Sequence, residues 1–211
     1  MAVITISREL GSYGDQVVEL LCDQLGYCRV DKDMLMHIAQ EAGVDTETIL
    51  EQERSITQRA RLVSGEMTSL YRKQASAFEK KSPIDDQTYE QVVRDTMERF
   101  AREGNAIIVG RGGQMVLSGW PTALHIRLYA PPEVRAQRLV EREHLSQEEA
   151  EYRVAQSDER KRQYIRHWHN NADWRNSKYY HLTIDTARLS LESVVRIIVL
   201  ASQDVDQAGQ V

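Results

Sequence analysis

Val3-Ile-Thr-Ile-Ser-Arg-Glu-Leu-Gly-Ser-Tyr-Gly-Asp-Gln-Val-Val18 is the stretch on which the reading of this chain turns. Val3 to Ile6 predict a buried strand, Ser7 to Gly14 a polar turn containing Gly11 and Gly14, and Gln16 to Leu25 repeat apolar residues at helical spacing. Strand, glycine turn and helix in that order form an arrangement suited to phosphate. Consecutive backbone N–H groups point inward at an anion, and the positive end of the helix dipole lies behind them. The turn is not a regular Walker A loop, because Asp15-Gln16 follow Gly14 where Lys-Ser/Thr would stand. A carboxylate at Asp15 is repelled by a polyphosphate by roughly several kcal/mol in a low-dielectric site unless it holds a cation or points away.

Working outward, Gly26-Tyr27 turn the chain into a second strand, Cys28 to Val30, with Asp31 at its carboxyl end. Met34, Leu35, Ile38 and Ala42 mark one face of a helix stopped by Gly43. From about Thr46 to Arg102 the sequence is charged, Gln-rich and helical in period, with no strand-like run; Pro83 separates two helices in this segment. Ala106 to Gly110 predict a strand buried on both faces, leading into Arg111-Gly112-Gly113. Leu124 to Tyr129 form the next strand, and a helix opens at Pro132 or Glu133. A long helix covers about Ser146 to Trp168, Tyr180 to Asp185 supply the last strand, and Ser190 caps a final helix. Short apolar strands separated by helices imply a parallel sheet wound on both sides, whose ligands bind beyond the carboxyl ends of the strands.

The formal net charge of −5 over 211 residues argues against a general nucleic-acid or membrane-surface binder. Cys22 and Cys28 match neither a redox pair nor a zinc spacing and are read as free thiols. With no charged leader and no long apolar run, a soluble, cytoplasmic protein is expected.

The candidates for chemistry are cationic. Arg8 reaches a phosphate from outside the loop or pairs with neighbouring Glu9. Arg111 leaves the sheet rim between glycines, where a guanidinium suits a monoester phosphate; its structural alternative is a carboxylate of the helical insertion. Asp158 to Arg166 is the densest cationic run, with Arg162 and Arg166 one helical turn apart and Asp158 placed to pair with Arg162. A solvated face is the alternative. His125, His167, His169 and His181 read as packing or surface histidines, and Trp168, Trp174, Tyr179 and Tyr180 as core or base-stacking aromatics. No metal-ligating set is expected.

With the first loop, the Gly110-Arg111-Gly112-Gly113 turn and the arginine helix in this order, the chain resembles the cytidylate kinase-like branch of the P-loop nucleoside monophosphate kinases. The likeness covers nearly the whole length. Its most specific pieces are Ile4 to Gly14, Leu25 to Asp33, Val109 to Gly113, Asp173-Trp174 and His181 to Leu189. The resemblance implies a single domain of α/β class. It would be a P-loop NTPase-type five-stranded parallel sheet with helices on both faces (core 1–45, 104–145 and 178–203), a helical NMP-binding insertion (about 46–103) and an arginine-bearing lid (about 146–177).

It also implies the site. Gly11, Ser12 and Gly14 are backbone donors to the donor phosphates, with Ser7, Arg8 and Tyr13 completing the ATP-binding loop. Arg111 holds the acceptor monophosphate, and Asp31 with Lys32 opens the acceptor-base pocket. On the lid, Arg160, Lys161, Arg162 and Arg166 lie without a unique register, and Arg160, Arg162 and Arg166 are taken as catalytic. ATP and Mg²⁺ follow as cofactors, a nucleoside monophosphate as partner, and a homodimer as an admissible assembly. The sequence departs from the pattern at Asp15, in the missing magnesium-binding Ser or Thr, and at Gly112, where cytidylate kinases carry aspartate.

The expected activity is transfer of the ATP γ-phosphoryl to a nucleoside monophosphate, CMP and dCMP being candidates. The alternative is a nucleotide-binding regulatory protein that has lost transfer, suggested by Asp15. A dinucleotide oxidoreductase, which Asp31 at the end of the second strand would suit, is weakened by the lack of Gly-x-Gly-x-x-Gly spacing and leaves the lid cations unexplained.

Overall fold

Strand β1 (Val3–Arg8) alternates its side chains between two apolar layers, and this alternation organises the rest. The structure, a computed structural model, describes residues 1–43, 45 and 83–208. Val3 belongs to the layer below the sheet with Ala106 and Ile108, while Ile4 and Ile6 belong to the layer above with Ile107 and Val109. Period-two alternation on strands buried on both faces leaves no polar face, so helices must cover both sides.

The upper layer is closed by α1 (Gly14–Leu25), through Val17, Val18 and Leu21, and by α7 (Leu191–Ala208), through Val194, Val195 and Ile198. The lower layer is closed by α2 (Lys32–Glu41), through Leu35, Met36 and Ala39, and by α3 (Pro83–Glu103). In α3, Tyr89, Val93, Met97, Phe100 and Ala101 recur every three or four residues and enter the core, so this end of the charged segment is a structural helix. It begins at Pro83, where the sequence places a break; the helix expected before it lies outside the described residues.

The remaining elements are β2 (Cys28–Val30), β3 (Ala106–Val109), the short α4 (Gly113–Val116), β4 (Ala123–Tyr129), α5 (Pro132–Glu143), α6 (Gln147–Trp168) and β5 (Leu182–Asp185). All the strands are parallel in the order β2-β3-β1-β4-β5, so every carboxyl end lies on one edge. Helices α5 and α6 form a satellite cluster of Ala136, Leu139, Ala150 and Val154, against which Leu10 of the first loop packs.

Two strand boundaries differ from expectation by two residues, while the end of β3 and the start of β4 differ by one. β1 runs on through Ser7 and Arg8, because both pair in register with Arg127 and Leu128 of the longer β4. β5 starts at Leu182, two residues late. Ser177–Tyr179 form a 3-10 turn, and the Tyr180 hydroxyl is committed to the Trp174 carbonyl at 2.5 Å. No helix among the described residues is long and apolar enough to cross a membrane.

Candidate functional site

The first loop leaves β1 at Arg8 and enters α1 through Tyr13, a non-glycine residue in the left-handed region (φ 58°). That conformation costs about 1–2 kcal/mol and concentrates where surrounding structure imposes it. Imposition comes from the loop's outer side, where donors occupy successive carbonyls. The Arg8 carbonyl accepts from the Lys161 ammonium, Glu9 from the Ser12 amide (3.1 Å) and hydroxyl (2.7 Å), Leu10 from Arg135 (3.4 Å), and Gly11 from Arg138 (3.1 Å). Arg138 also lies over the Tyr13 ring at 3.8 Å and binds the Thr186 carbonyl at 2.7 Å, tying the loop to the end of β5. With the carbonyls engaged outward and no side chain capping α1, the amides of its first turn have no intrahelical acceptor. This is the electrostatics of an anion cradle.

Two glycines in the loop are required by close approach. A Cβ on Gly11 (φ +80°) would stand 2.6 Å from the Arg135 carbonyl oxygen, and one on Gly14 would stand 2.4 Å from Arg8 Cβ. The Arg8 side chain therefore lies along the helix entrance, with its tip near Gly110 of the second turn and 3.4 Å from Asp15. Arg8 does not pair with Glu9, the alternative weighed from sequence.

Glu9 is instead a buried anchor behind the loop. Its carboxylate binds Arg127 at 2.9 Å and Arg135 at 3.3 Å. Arg135, only 1% exposed, reaches on to Asp158 of α6 through two hydrogen bonds of 3.0 and 2.7 Å, and Arg175 takes the same carboxylate at 2.9 Å. This corrects the expected Asp158–Arg162 pairing. Asp158 faces the core side of α6, and Arg162, further round the helix, binds Glu159 at 2.5 and 2.7 Å. Behind the network lies Trp174, buried, with Arg127, Lys161 and Arg175 at 5.3, 4.7 and 5.1 Å from its ring centroid.

Asp15 does not intrude on the cradle. Its carboxylate lies 3.4 Å from Arg8 and 3.3 Å from Arg29, and Arg29 also binds Asp31 at 2.9 Å. Asp31 caps α2 by accepting from the amides of Asp33 and Met34, both at 3.2 Å. Part-burial pushes its carboxyl up, but the Met34 amide and Arg29 outweigh that and hold it below the usual carboxylate range. Lys32 opens the same helix.

The second glycine turn, Gly110 to Gly113, stands at the end of β3. Arg111 is left-handed (φ 52°), with its guanidinium 4.5 Å over the Tyr164 ring of α6. Around it a small pocket is lined by Glu90, Arg94, Trp168 and His169 among others. The structure thus brings Arg111 to the junction of α3, α6 and the sheet, next to Arg8 through Gly110.

Of the lid arginines, Arg162 and Arg166 line a groove of about 390 Å³ with Asp158, Trp174 and Arg175. Arg160 is exposed and bonded to Gln156 at 3.5 Å. Lys161 is the lid cation that turns inward. Sequence reasoning missed Glu9, Arg135 and Arg138. Their one visible signal was position: Arg135 and Arg138 lie in the opening turns of a helix that starts where β4 leaves the carboxyl edge. His125, which the sequence left as a packing or surface residue, is buried. Its Nε2–H donates to the Leu117 carbonyl (3.2 Å), its Nδ1 accepts from Thr5 (2.8 Å), and its ring stacks on His181 at 4.8 Å.

The model of the cytidylate kinase-like family matches residues 3–188. The cytidylate kinase of Pyrococcus horikoshii is 32% identical over 136 residues, which are 63% of this chain and 67% of that protein. The cytidylate kinase of Pyrococcus furiosus is 31% identical over 136 residues, with the same coverage of 63% and 67%. Among solved structures, an uncharacterized protein from Eubacterium ventriosum superposes with a TM-score of 0.68 at 17% identity, over 96% of this chain and 99% of its own. A gluconokinase from Sinorhizobium meliloti gives 0.50 at 15% identity, over 99% and 94%. The structural likenesses speak for the fold, and the family match spans both glycine turns and the lid helix. The chain belongs to the cytidylate kinase-like family.

Proposed function

We propose that the protein transfers the γ-phosphoryl group of ATP to a nucleoside monophosphate, with CMP and dCMP the first acceptors to test. The observation that carries this reading is the first loop, whose carbonyls are engaged by donors from α5 and α6 while the amides opening α1 have no capping side chain, with the tip of Arg8 reaching Gly110 beside Arg111. The amides of Gly11, Tyr13 and Gly14 hold the donor phosphates, flanked by Ser7 and Arg8; the Ser12 amide, expected among them, donates to the Glu9 carbonyl and steadies the turn instead. Arg111 holds the acceptor phosphate, Asp31 and Lys32 border the acceptor base, and Arg162 and Arg166 swing from the lid groove onto the transferring group. Arg160, on the outer face, contributes general positive potential.

An oxygen of the acceptor monophosphate attacks the γ-phosphorus. A new P–O bond forms as the bond to the β–γ bridging oxygen breaks, and ADP leaves with that electron pair. Such a transfer is mostly positioning and charge neutralisation, which the chain's cations supply. Mg²⁺, where it arrives with ATP, would neutralise part of the phosphate charge. The residues present do not fit a side-chain cage for it. Ser12 is committed to the Glu9 carbonyl, Asp15 to arginines, and no three His, Cys, Asp or Glu side chains converge among the described residues.

A coupled assay of ADP release across the common monophosphates tests the reading. One acceptor should stand out, and Arg111→Ala should raise its KM and lower kcat/KM about 30-fold, the loss of about 2 kcal/mol typical of a charge-assisted contact. A second reading, a regulatory nucleotide-binding protein without transfer, is favoured by Asp15 standing where the loop lysine would be. ATP binding by calorimetry with no turnover on any acceptor would select it.

A further inference from the structure

In a regular P-loop a lysine follows the loop glycines and reaches the β- and γ-phosphates. The position after Gly14 is Asp15, turned into Arg8 and Arg29. Another ammonium nevertheless arrives at the loop. Lys161 projects from the middle of α6, its stem part-exposed and its ammonium enclosed, to hydrogen-bond the Arg8 carbonyl where the loop opens. Arg8 links this ammonium to the cradle, because its side-chain carbons lie over the Cα of Gly14, the first residue of α1.

Charge counting separates Lys161 from its neighbours. Arg127 and Arg135 share Glu9, while Arg135 and Arg175 share Asp158. Both carboxylates of the enclosure are thus already claimed by arginines at 2.7–3.3 Å, and Lys161 makes no ion pair among the described residues. Its contacts are a neutral carbonyl and the Trp174 ring. A buried ammonium without a paired anion is costly unless it loses its proton or an anion comes to it.

We propose that Lys161, delivered from the lid helix, is the phosphate-binding lysine of this site, binding the β- and γ-phosphates of the donor from across the loop. The proposal rests on the nucleotide reading above. In the free protein the ammonium is parked on the Arg8 carbonyl. When a polyphosphate enters the cradle, the ammonium turns from that carbonyl to the phosphate oxygens, so donor binding and lid position become one event. A lysine fixed on α1 would bind whether the lid were open or shut. One carried by α6 binds only when the lid is down, which couples charge neutralisation to water exclusion.

The surroundings give this a signature beyond activity. Burial first, then the Arg8 and Arg135 guanidinium groups, push the Lys161 ammonium down to about 7, against the pull of Glu9 and Asp158. At pH 8 the free protein therefore holds Lys161 largely neutral, and a polyphosphate draws a proton onto it.

The test is isothermal calorimetry of ATP, ADP and adenosine at pH 8 in two buffers of different ionisation enthalpy, on wild type, Lys161→Met and Lys161→Arg. Expected are uptake of most of one proton per ATP by wild type and at least a tenfold affinity loss for ATP and ADP, but not adenosine, in Lys161→Met. Lys161→Arg should retain affinity without proton uptake. Wild-type affinity for ATP in Lys161→Met would overturn the proposal. Should Lys161→Met fail to fold, undiminished proton uptake in Lys161→Arg would overturn it. Wild type that bound adenosine and ATP equally would refute the nucleotide-phosphate reading itself, and a Lys161→Met defect confined to thermal stability would refute only the role of the lysine.

Discussion

The two glycine turns at the carboxyl edge look alike in outline and are built oppositely. Each follows a buried strand, contains a non-glycine residue in the left-handed region, Tyr13 or Arg111, and leads into a helix. The first enters a helix of 12 residues, and its backbone is gripped by donors from α5 and α6. The second enters a helix of only 4 residues, Gly113–Val116, and its own amide at Gly113 closes on the Gly110 carbonyl at 3.1 Å. A four-residue helix has little dipole to offer, so this turn presents a side chain, Arg111, where the first presents its backbone. On the proposed reading, one edge carries two anion-binding solutions, one held in place by a buried ionic anchor, the other a guanidinium on a short arm.

Substitutions behind the first loop should therefore cost far more than substitutions on its rim. Glu9→Ala strips buried Arg135 and half-buried Arg127 of their shared carboxylate and should destabilise the fold by about 3–5 kcal/mol, read as a lower urea midpoint. A change below about 1 kcal/mol would show that the anchor is not what holds the loop.

His125 of β4 lies behind the carboxyl edge, bonding Thr5 of β1 and the Leu117 carbonyl just past α4. Burial, and then the neighbouring His181, lower its pKa from 6.5 to about 4. A folded-state value below the unfolded one means the unfolded chain binds the proton more readily. Stability is then intact above about pH 6.5 and falls as pH drops towards 4, by on the order of 3 kcal/mol in total. Urea denaturation across this range should show that slope, and His125→Asn should flatten it.

Gly11→Ala tests the backbone half of the contrast. Its Cβ would meet the Arg135 carbonyl oxygen at 2.6 Å in a backbone conformation at φ +80°. A loss of about 2 kcal/mol of stability together with most ATP affinity is expected. Unchanged ATP binding would mean that the loop backbone is not the phosphate site. The smallest effect belongs to Asp15→Asn. Asp15 is 60% exposed and its two guanidinium partners lie beyond 3.2 Å, so less than about 0.5 kcal/mol of stability should be lost. ATP affinity should move less than threefold, and a large gain would reveal the carboxylate as an impediment after all.

The strands were legible because Val3 to Ile6 and Ala106 to Val109 are uninterrupted apolar runs, and two-sided burial leaves few other uses for such runs. Their lateral order was not, since it is fixed by pairing between residues about a hundred positions apart, such as Ile4 with Ile107 and Leu124. Helix α3 hid its core role under charge, although Tyr89, Val93, Met97 and Phe100 repeat at helical spacing. The glycine positions of both turns were legible from the glycines themselves. Arg135 was not, because an arginine on an amphipathic helix reads as solvated until α6 lays Asp158 against it. For the same reason Lys161 could not be separated from Arg160 and Arg162. Adjacent cations on a helix differ by 100° in direction, and only the docking of α6 decides which one turns inward.

Amide NMR of the ¹⁵N-labelled protein titrated with Mg·ATP tests the central claim most directly. If the first loop is an anion cradle, the amides of Gly11 to Gln16 shift together and saturate at a single Kd, while the Gly110 to Gly113 amides respond mainly to the monophosphate acceptor. Loop amides that stayed in place while ATP perturbed resonances elsewhere would contradict it.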